Sequence, residues 1–202
     1  SVDWVFKPGD KPSDLLGRLI DDYTNCSAPL NTTETFAAME AVYGELRLPQ
    51  LPDMCRSLIL ARDRFPGQPI FALNDDISRP YRRVRLTPSS CPRMVLQLPP
   101  TDEGVTYYAI RLSQPFGHNA SAHGWGVVAR ALEFRLHNIR NSVPASGLFG
   151  MYVDDLYAFA PEEYLRQLSD VFAEAACVAG SGARAVEKSA IQEVFQSLGW
   201  LF

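Results

Sequence analysis

Phe149-Gly150-Met151-Tyr152-Val153-Asp154-Asp155-Leu156 is the stretch on which the fold of this chain turns. An apolar run climbs to two adjacent carboxylates and resumes as Leu156-Tyr157-Ala158-Phe159-Ala160. Strand-forming residues on both sides, with no room for a long loop, predict a tight hairpin whose tip carries both acids. Like charges side by side in a buried hairpin repel, and desolvation adds to the cost. A divalent cation relieves that repulsion, and Mg²⁺ takes one or two carboxylates together with phosphate oxygens. An exposed Asp-Asp turn is the plainer alternative.

Around the hairpin lies a chain of 202 residues, 47% hydrophobic and 21% charged, enough for one domain or two small lobes with a real core. No apolar run has the length of a membrane span and no signal peptide opens the chain, so the expectation is an intracellular protein, nuclear or cytoplasmic, with no membrane partner. Ser1 runs straight into Val2-Asp3-Trp4-Val5-Phe6, as in a fragment or trimmed domain. Cys26, Cys55, Cys91 and Cys177 lack Cys-x-x-Cys or Cys/His spacing and read as free thiols. The net charge of −4 argues against a nucleic-acid binder taken as a whole, because phosphate contacts need positive charge. The exception is local: Arg79, Arg82, Arg83, Arg85 and Arg93 fall close together.

Other elements are legible from pattern. Trp4–Lys7 is strand-like and closes on the breakers Pro8-Gly9-Asp10-Lys11-Pro12. Asn31, Thr32 or Thr33 caps a helix over Thr33–Tyr43, with Phe36, Ala37, Met39, Ala41 and Val42 at helical spacing. A helix around Asp53–Arg62 sits in a proline-rich segment that is otherwise hard to assign. Ile70–Leu73 reads as a buried strand running into Asn74-Asp75-Asp76, and Met94–Leu98 and Thr106–Leu112 as a pair of strands. A helix over Ala120–His137 shows an apolar stripe of Val127, Val128, Ala131, Leu132, Phe134 and Leu136. His118 and His123 lack a Cys or His partner at ligand spacing and read as polar surface or template-facing residues, not as metal ligands. Pro161-Glu162-Glu163 starts a last helix with a core stripe of Leu165, Leu168, Val171, Phe172 and Ala175, ending at Gly180.

Tyr152-Val153-Asp154-Asp155 resembles the Tyr-x-Asp-Asp signature of reverse transcriptases, and further landmarks follow that family in order. Asp76 precedes Tyr81 by five residues, similar to the family's Asp-x-x-x-x-aromatic pattern; Pro80 departs from it, and Asp75 doubles the acid. Lys7 or Lys11 and Arg18 resemble the fingers hairpin that presents cations to an incoming triphosphate. Pro115-Phe116-Gly117 before a long helix looks like the nucleotide- and template-positioning segment. Gly182–Lys188 is similar to the strand and loop that end in a lysine, and Leu198-Gly199-Trp200 looks like the hairpin that grips the primer end.

The resemblance, closest to retroelement enzymes, implies an α+β polymerase palm: an antiparallel sheet backed by two helices, with a partial fingers region and no thumb. Residues 1–69 would be fingers-like, with 44–69 the least secure part, and 70–202 the palm. It implies RNA-directed DNA synthesis on a primer–template of RNA or DNA, with deoxynucleoside triphosphates as substrates and Mg²⁺, or Mn²⁺ in its place, as cofactor. Asp76 and Asp154 would hold the metal, Asp155 would be their companion, and Lys188 would protonate pyrophosphate. Lys7, Arg18, Tyr81, Phe116, Gly117 and Tyr152 would bind the nucleotide. Arg82, Arg83, Leu198, Gly199 and Trp200 would bind nucleic acid. Two other readings stay open: a decayed or repurposed retroelement relic that at most binds nucleic acid, and an unrelated Mg²⁺-dependent phosphotransfer domain. The latter accounts for the acids but not for Tyr81 or Pro115-Phe116-Gly117.

Overall fold

The structure is a computed structural model that describes residues 2–5, 18–21, 23–24, 29–98, 100–138, 148–178, 184–185, 189–193, 196–197 and 200–201. In chain order the elements are strands β1 (Val2–Val5) and β2 (Arg18–Asp21), helices α1 (Thr33–Tyr43) and α2 (Leu51–Arg64), strand β3 (Phe71–Asp76) and the single turn α3 (Pro80–Arg83). Strands β4 (Val95–Gln97) and β5 (Tyr108–Ile110) lead to helix α4 (Asn119–Asn138), then strands β6 (Phe149–Tyr152) and β7 (Asp155–Ala160). Helix α5 (Glu162–Val178) is followed by strands β8 (Ala190–Gln192), β9 (Gln196–Ser197) and β10 (Trp200–Leu201). Two compact units result, one from Ser1–Leu46 with Tyr81–Trp125, the other from Arg47–Pro80 with Gly126–Phe202.

The second unit is built on an antiparallel sheet in the order β6-β7-β3-β8. Alternation along β7 puts Leu156, Ala158 and Ala160 on one face and Tyr157 and Phe159 on the other. On the first face lies α5, whose carboxylate-rich start suits a helix N-terminus. The Pro161 carbonyl accepts the N–H groups of Tyr164 and Leu165, so the helix begins just after that proline. Leu165, Leu168, Phe172 and Ala175 are buried as their spacing predicts, each large side chain stabilising by roughly 1.5–3 kcal/mol. The end of α4 reaches the same face, where His137 stacks on Phe149 at 4.5 Å. Glu133 of α4 accepts the Met151 N–H of edge strand β6 at 3.1 Å. Burial pushes that carboxyl up, against the pull of this hydrogen bond and of His137.

Helix α2 packs on β7 and β6, burying Met54, Ser57 and Ala61. The sequence reading assigned this segment to the first region; its helix belongs with the sheet. It meets the other face, where Ser57 hydrogen-bonds the buried Tyr157 hydroxyl. Burial raises the Tyr157 pKa and that bond lowers it.

Two helical stripes need correction. On α4 the buried apolar side chains are Trp125, Ala129, Leu132 and Leu136, a 4-3-4 spacing; Leu132 and Leu136 are buried as expected, whereas Val127 and Phe134 are exposed. Apolar residues occupy most of that helix's circumference, so the period alone admits Val127 and Phe134 beside the buried Leu132 and Leu136. On α1 no residue is buried, and Phe36 and Val42 are exposed. Its start is as expected: Thr32 and Thr35 exchange the reciprocal bonds of a capping box, at 3.2 and 2.9 Å.

In the first unit β1 pairs with β2, with Val5 opposite Arg18, and β4 pairs with β5. Tyr108 and Ile110 of β5 are exposed. At the chain's end β9 and β10 pair antiparallel, Trp200 opposite Ser197. Cys55, Cys91 and Cys177 are free, and Cys26 lies outside the described residues. Among the described residues no helix is long and apolar enough to cross a membrane.

Candidate functional site

Asp75 and Asp76 are neighbours on β3, so the strand's two-residue period sends their side chains to opposite faces. Asp75, fully buried, faces α5: its Oδ2 accepts the Ser169 hydroxyl at 2.7 Å and the Arg184 guanidinium at 3.3 Å. Burial pushes the Asp75 carboxyl up, while Ser169, Arg184 and Ser189 pull it down. This acid is committed to the back of the sheet.

Asp76 lies on the other face, directly opposite Asp155 in the β3–β7 register. Cross-strand partners sit within about 5.5 Å at Cβ, where like charges destabilise the pair. The β6–β7 turn is Val153-Asp154, and it brings the Asp154 side chain into hydrogen-bond contact with Asp76. The Asp154 carboxyl is pushed up to about 7, first by burial, then by the charges of Asp155 and Asp76 and by the bond to Asp76. Backbone bonds hold this arrangement, with the Ile77 N–H on the Asp154 carbonyl at 3.1 Å and the Ala185 N–H on the Asp76 carbonyl at 2.8 Å. Val153 carries a φ of 59°, a region in which a β-branched residue is strained by roughly 1–3 kcal/mol. Tyr152 ends β6 opposite Asp155 and is half-buried.

Among the described residues no three acid, histidine or cysteine side chains gather into a ready-made metal cage. The donor set is two touching carboxyls with hard oxygen atoms, under repulsion that burial makes worse. That fits Mg²⁺ or Mn²⁺, which complete their shells with water and substrate phosphates. Asp76 and Asp154 are the residues that would hold it.

In the first unit, Tyr81 and Phe116 meet edge to face at 4.8 Å and 73°. Both line a cleft of about 650 Å³ that Asn31, Phe36, Gly117 and His118 also border. Asn31 ties the loop down: its Nδ2 donates to the Gly117 carbonyl at 2.5 Å and its Oδ1 accepts the Asn119 N–H at 2.9 Å. Gly117 has a φ of 91°, open to glycine and strained for other residues. Ser121 adds a bond from its hydroxyl to the Pro115 carbonyl at 2.7 Å. Nothing in the sequence marked Asn31 as a clamp, since its partners lie more than eighty residues away.

His123 is corrected from surface to core. It is 2% exposed, with its ring 5.4 Å from Phe36 and Nδ1 3.4 Å from the Asn119 carbonyl. His118 packs against Tyr23 at 5.3 Å, and burial lowers its pKa. Arg82, Arg83, Arg85 and Arg93 are exposed. Lys7, Lys11, Gly180, Lys188, Leu198 and Gly199 lie outside the described residues, and Arg18 and Trp200 are described by their backbone.

Solved structures share this architecture. The foamy viral protease–reverse transcriptase in complex with double-stranded DNA superposes on 99% of the chain with a TM-score of 0.58 and 21% identity. The fold is reverse-transcriptase-like. Telomerase from Candida albicans, in complex with a fragment of telomeric RNA, covers 98% of the chain with a TM-score of 0.56 and 12% identity. Telomerase from Candida tropicalis covers 83% with a TM-score of 0.54 and 12% identity. The chain spans 28% of the foamy viral polypeptide and 43% and 41% of the two telomerases. No family model and no curated protein matches it.

Proposed function

We propose that this chain is the palm and partial fingers of a retroelement-type reverse transcriptase, joining deoxynucleotides to a primer 3′-hydroxyl on an RNA or DNA template. The observation that carries the reading is the meeting of Asp76 and Asp154, remote in sequence, beside Asp155 on one face of an antiparallel sheet. Two further observations support it: a strained Val153 turn holds the acids together, and the neighbouring folds were solved with DNA or telomeric RNA.

When bound by Asp76 and Asp154, two Mg²⁺ ions, or Mn²⁺, supply activation of the 3′-oxygen and neutralisation of the leaving pyrophosphate. The chain's own residues position the reactants, which is most of what phosphoryl transfer requires. Asp155 acts as companion carboxylate, holding the turn and the local negative charge. Tyr152 and Gly117 approach the nucleotide, Gly117 through backbone that no Cβ obstructs. Tyr81, braced by Phe116, excludes a ribose 2′-hydroxyl by volume. Lys7 and Arg18 bind the triphosphate, and Lys188 gives a proton from Nζ to the departing pyrophosphate oxygen. Arg82 and Arg83 with Leu198, Gly199 and Trp200 hold the primer–template.

Primer extension with Mg²⁺ or Mn²⁺, comparing the wild type with Asp76→Asn and Asp154→Asn, tests the proposal. The expected result is extension by the wild type and a loss of about 10³-fold or more in either variant. A wild type that binds primer–template and metal yet extends nothing would support the relic reading instead.

A further inference from the structure

The back of the sheet carries a polar network that the chemistry above does not use. Asp75, Ser169 and Arg184 form a closed triangle: Ser169 donates to Asp75 at 2.7 Å, and Arg184 donates both to Asp75 at 3.3 Å and to the Ser169 hydroxyl. Asp75 is fully buried and the Arg184 side chain 22% exposed, so the ion pair is largely withdrawn from water. Replacing such a network with apolar residues is often neutral or stabilising, so stability alone is weak grounds for having it.

Its backbone connections suggest another role. Arg184 forms an isolated antiparallel bridge with Ile77, and its neighbour Ala185 donates to the Asp76 carbonyl at 2.8 Å. Ile77 in turn donates to the Asp154 carbonyl at 3.1 Å. The segment locked by the triangle is therefore stitched to both residues of the acid pair, one directly and one through Ile77. Side chains reach through the sheet to α5, while main-chain bonds reach forward to the acids.

We infer that Arg184, anchored by Asp75 and Ser169, is a positioning residue that sets the spacing of the Asp76 and Asp154 carboxyls for divalent-cation binding. The inference rests on the metal-holding role proposed for those two acids. Two carboxylates that repel drift apart unless their backbones are restrained, and a displacement of about 1 Å at a metal ligand is costly to affinity. The network supplies that restraint without touching metal or substrate.

Mn²⁺ binding to the purified chain, followed by the loss of the free-ion paramagnetic resonance signal, reads the effect directly. Melting temperatures are measured on the same samples. Arg184→Lys keeps the charge but loses the planar fork; Ser169→Ala removes one corner and leaves the ion pair. Both are expected to weaken Mn²⁺ binding about tenfold, the scale of outer-shell effects on metal sites. Leu132→Ala, a fully buried change on α4, a helix that supplies no group to the network, serves as a control that lowers the melting temperature while leaving Mn²⁺ affinity unchanged. Affinities within twofold of wild type in both network variants would overturn the inference, leaving the triangle a packing feature only. If Arg184→Lys does not fold, Ser169→Ala decides alone. Equal Mn²⁺ binding by the wild type and Asp154→Asn would overturn the metal-site reading itself, a separate outcome.

Discussion

Asp154 concentrates the electrostatic cost of this fold. Its carboxyl is pushed up to about 7 from an ordinary value of 3.8, by burial first and by Asp155 and Asp76 next. Between about pH 4 and 7 the folded state therefore keeps a proton that the unfolded chain has released, and stability falls as pH rises through that window. In metal-free buffer the melting temperature should drop from pH 4 to 7, and Asp154→Asn should flatten the drop. After allowance for solvent screening, the variant should gain about 1–2 kcal/mol at pH 7.5. Mg²⁺ should restore stability to the wild type and leave Asp154→Asn unmoved; melts followed by circular dichroism check both. At Tyr81 the expectation concerns selectivity. Tyr81→Val opens the volume that the ring fills, so the ratio of kcat/KM for deoxy- over ribonucleotide should fall while deoxynucleotide use changes little. Single-nucleotide extension on one template measures it, and an unchanged ratio with activity retained would make Tyr81 a packing residue.

Among the elements, the acid hairpin is built to a close tolerance. A Cβ on Gly150 would lie 2.6 Å from the Tyr157 hydroxyl oxygen and 2.8 Å from Cζ, and the Tyr157 ring is buried. Gly150→Ala should therefore cost about 1–3 kcal/mol in urea denaturation, as overpacking does. Gly124 of α4 offers the contrast: the atoms nearest its added Cβ are the amide end of Gln114, the far end of a flexible side chain. There the helix-propensity gain of alanine, about 1 kcal/mol, offsets the displacement and the net change should stay within about 0.5 kcal/mol. The rotational setting of α4 is checked in the same way. Trp125→Ala should cost about 3–5 kcal/mol, whereas Phe134→Ala, 71% exposed, should cost no more than about 0.5.

For the molecule as a whole, the proposed function would set a net charge of −4 against a polyanion, so affinity would have to come from local cations such as Arg82 and Arg83. Replacing both with alanine should weaken primer–template binding and reduce the slope of log K against log salt by about 2. Fluorescence anisotropy across a salt series reads that slope, and an unchanged value would remove these arginines from the interface. Much of the fold was legible beforehand because its signals are local. The capping residues before α1, the carboxylates opening α5, the apolar runs of β3 and β7 and the tight acid hairpin each act within a few residues of themselves. The turn proper, however, is Val153-Asp154, and Asp155 begins β7 instead of sharing the tip. Because β3 runs on through Asp76, past the expected end at Leu73, Asp75 and Asp76 part to opposite faces, since a strand repeats every two residues. What the local pattern left open was any choice between arrangements of equal local quality. More than one apolar stripe on α4 satisfies the period through Leu132 and Leu136, and only packing selected Trp125 and Ala129 over Val127 and Phe134. His123 shows no sequence sign of burial, and α1 has an apolar period that the fold does not bury. The Asn31 clamp on Gly117 and the Arg184 anchor on Asp75 join residues 86 and 109 positions apart. The sequence by itself determined which residues could turn, cap, alternate and carry charge; only the tertiary structure decided which of them meet, because a contact across such a distance depends on the packing of every element between.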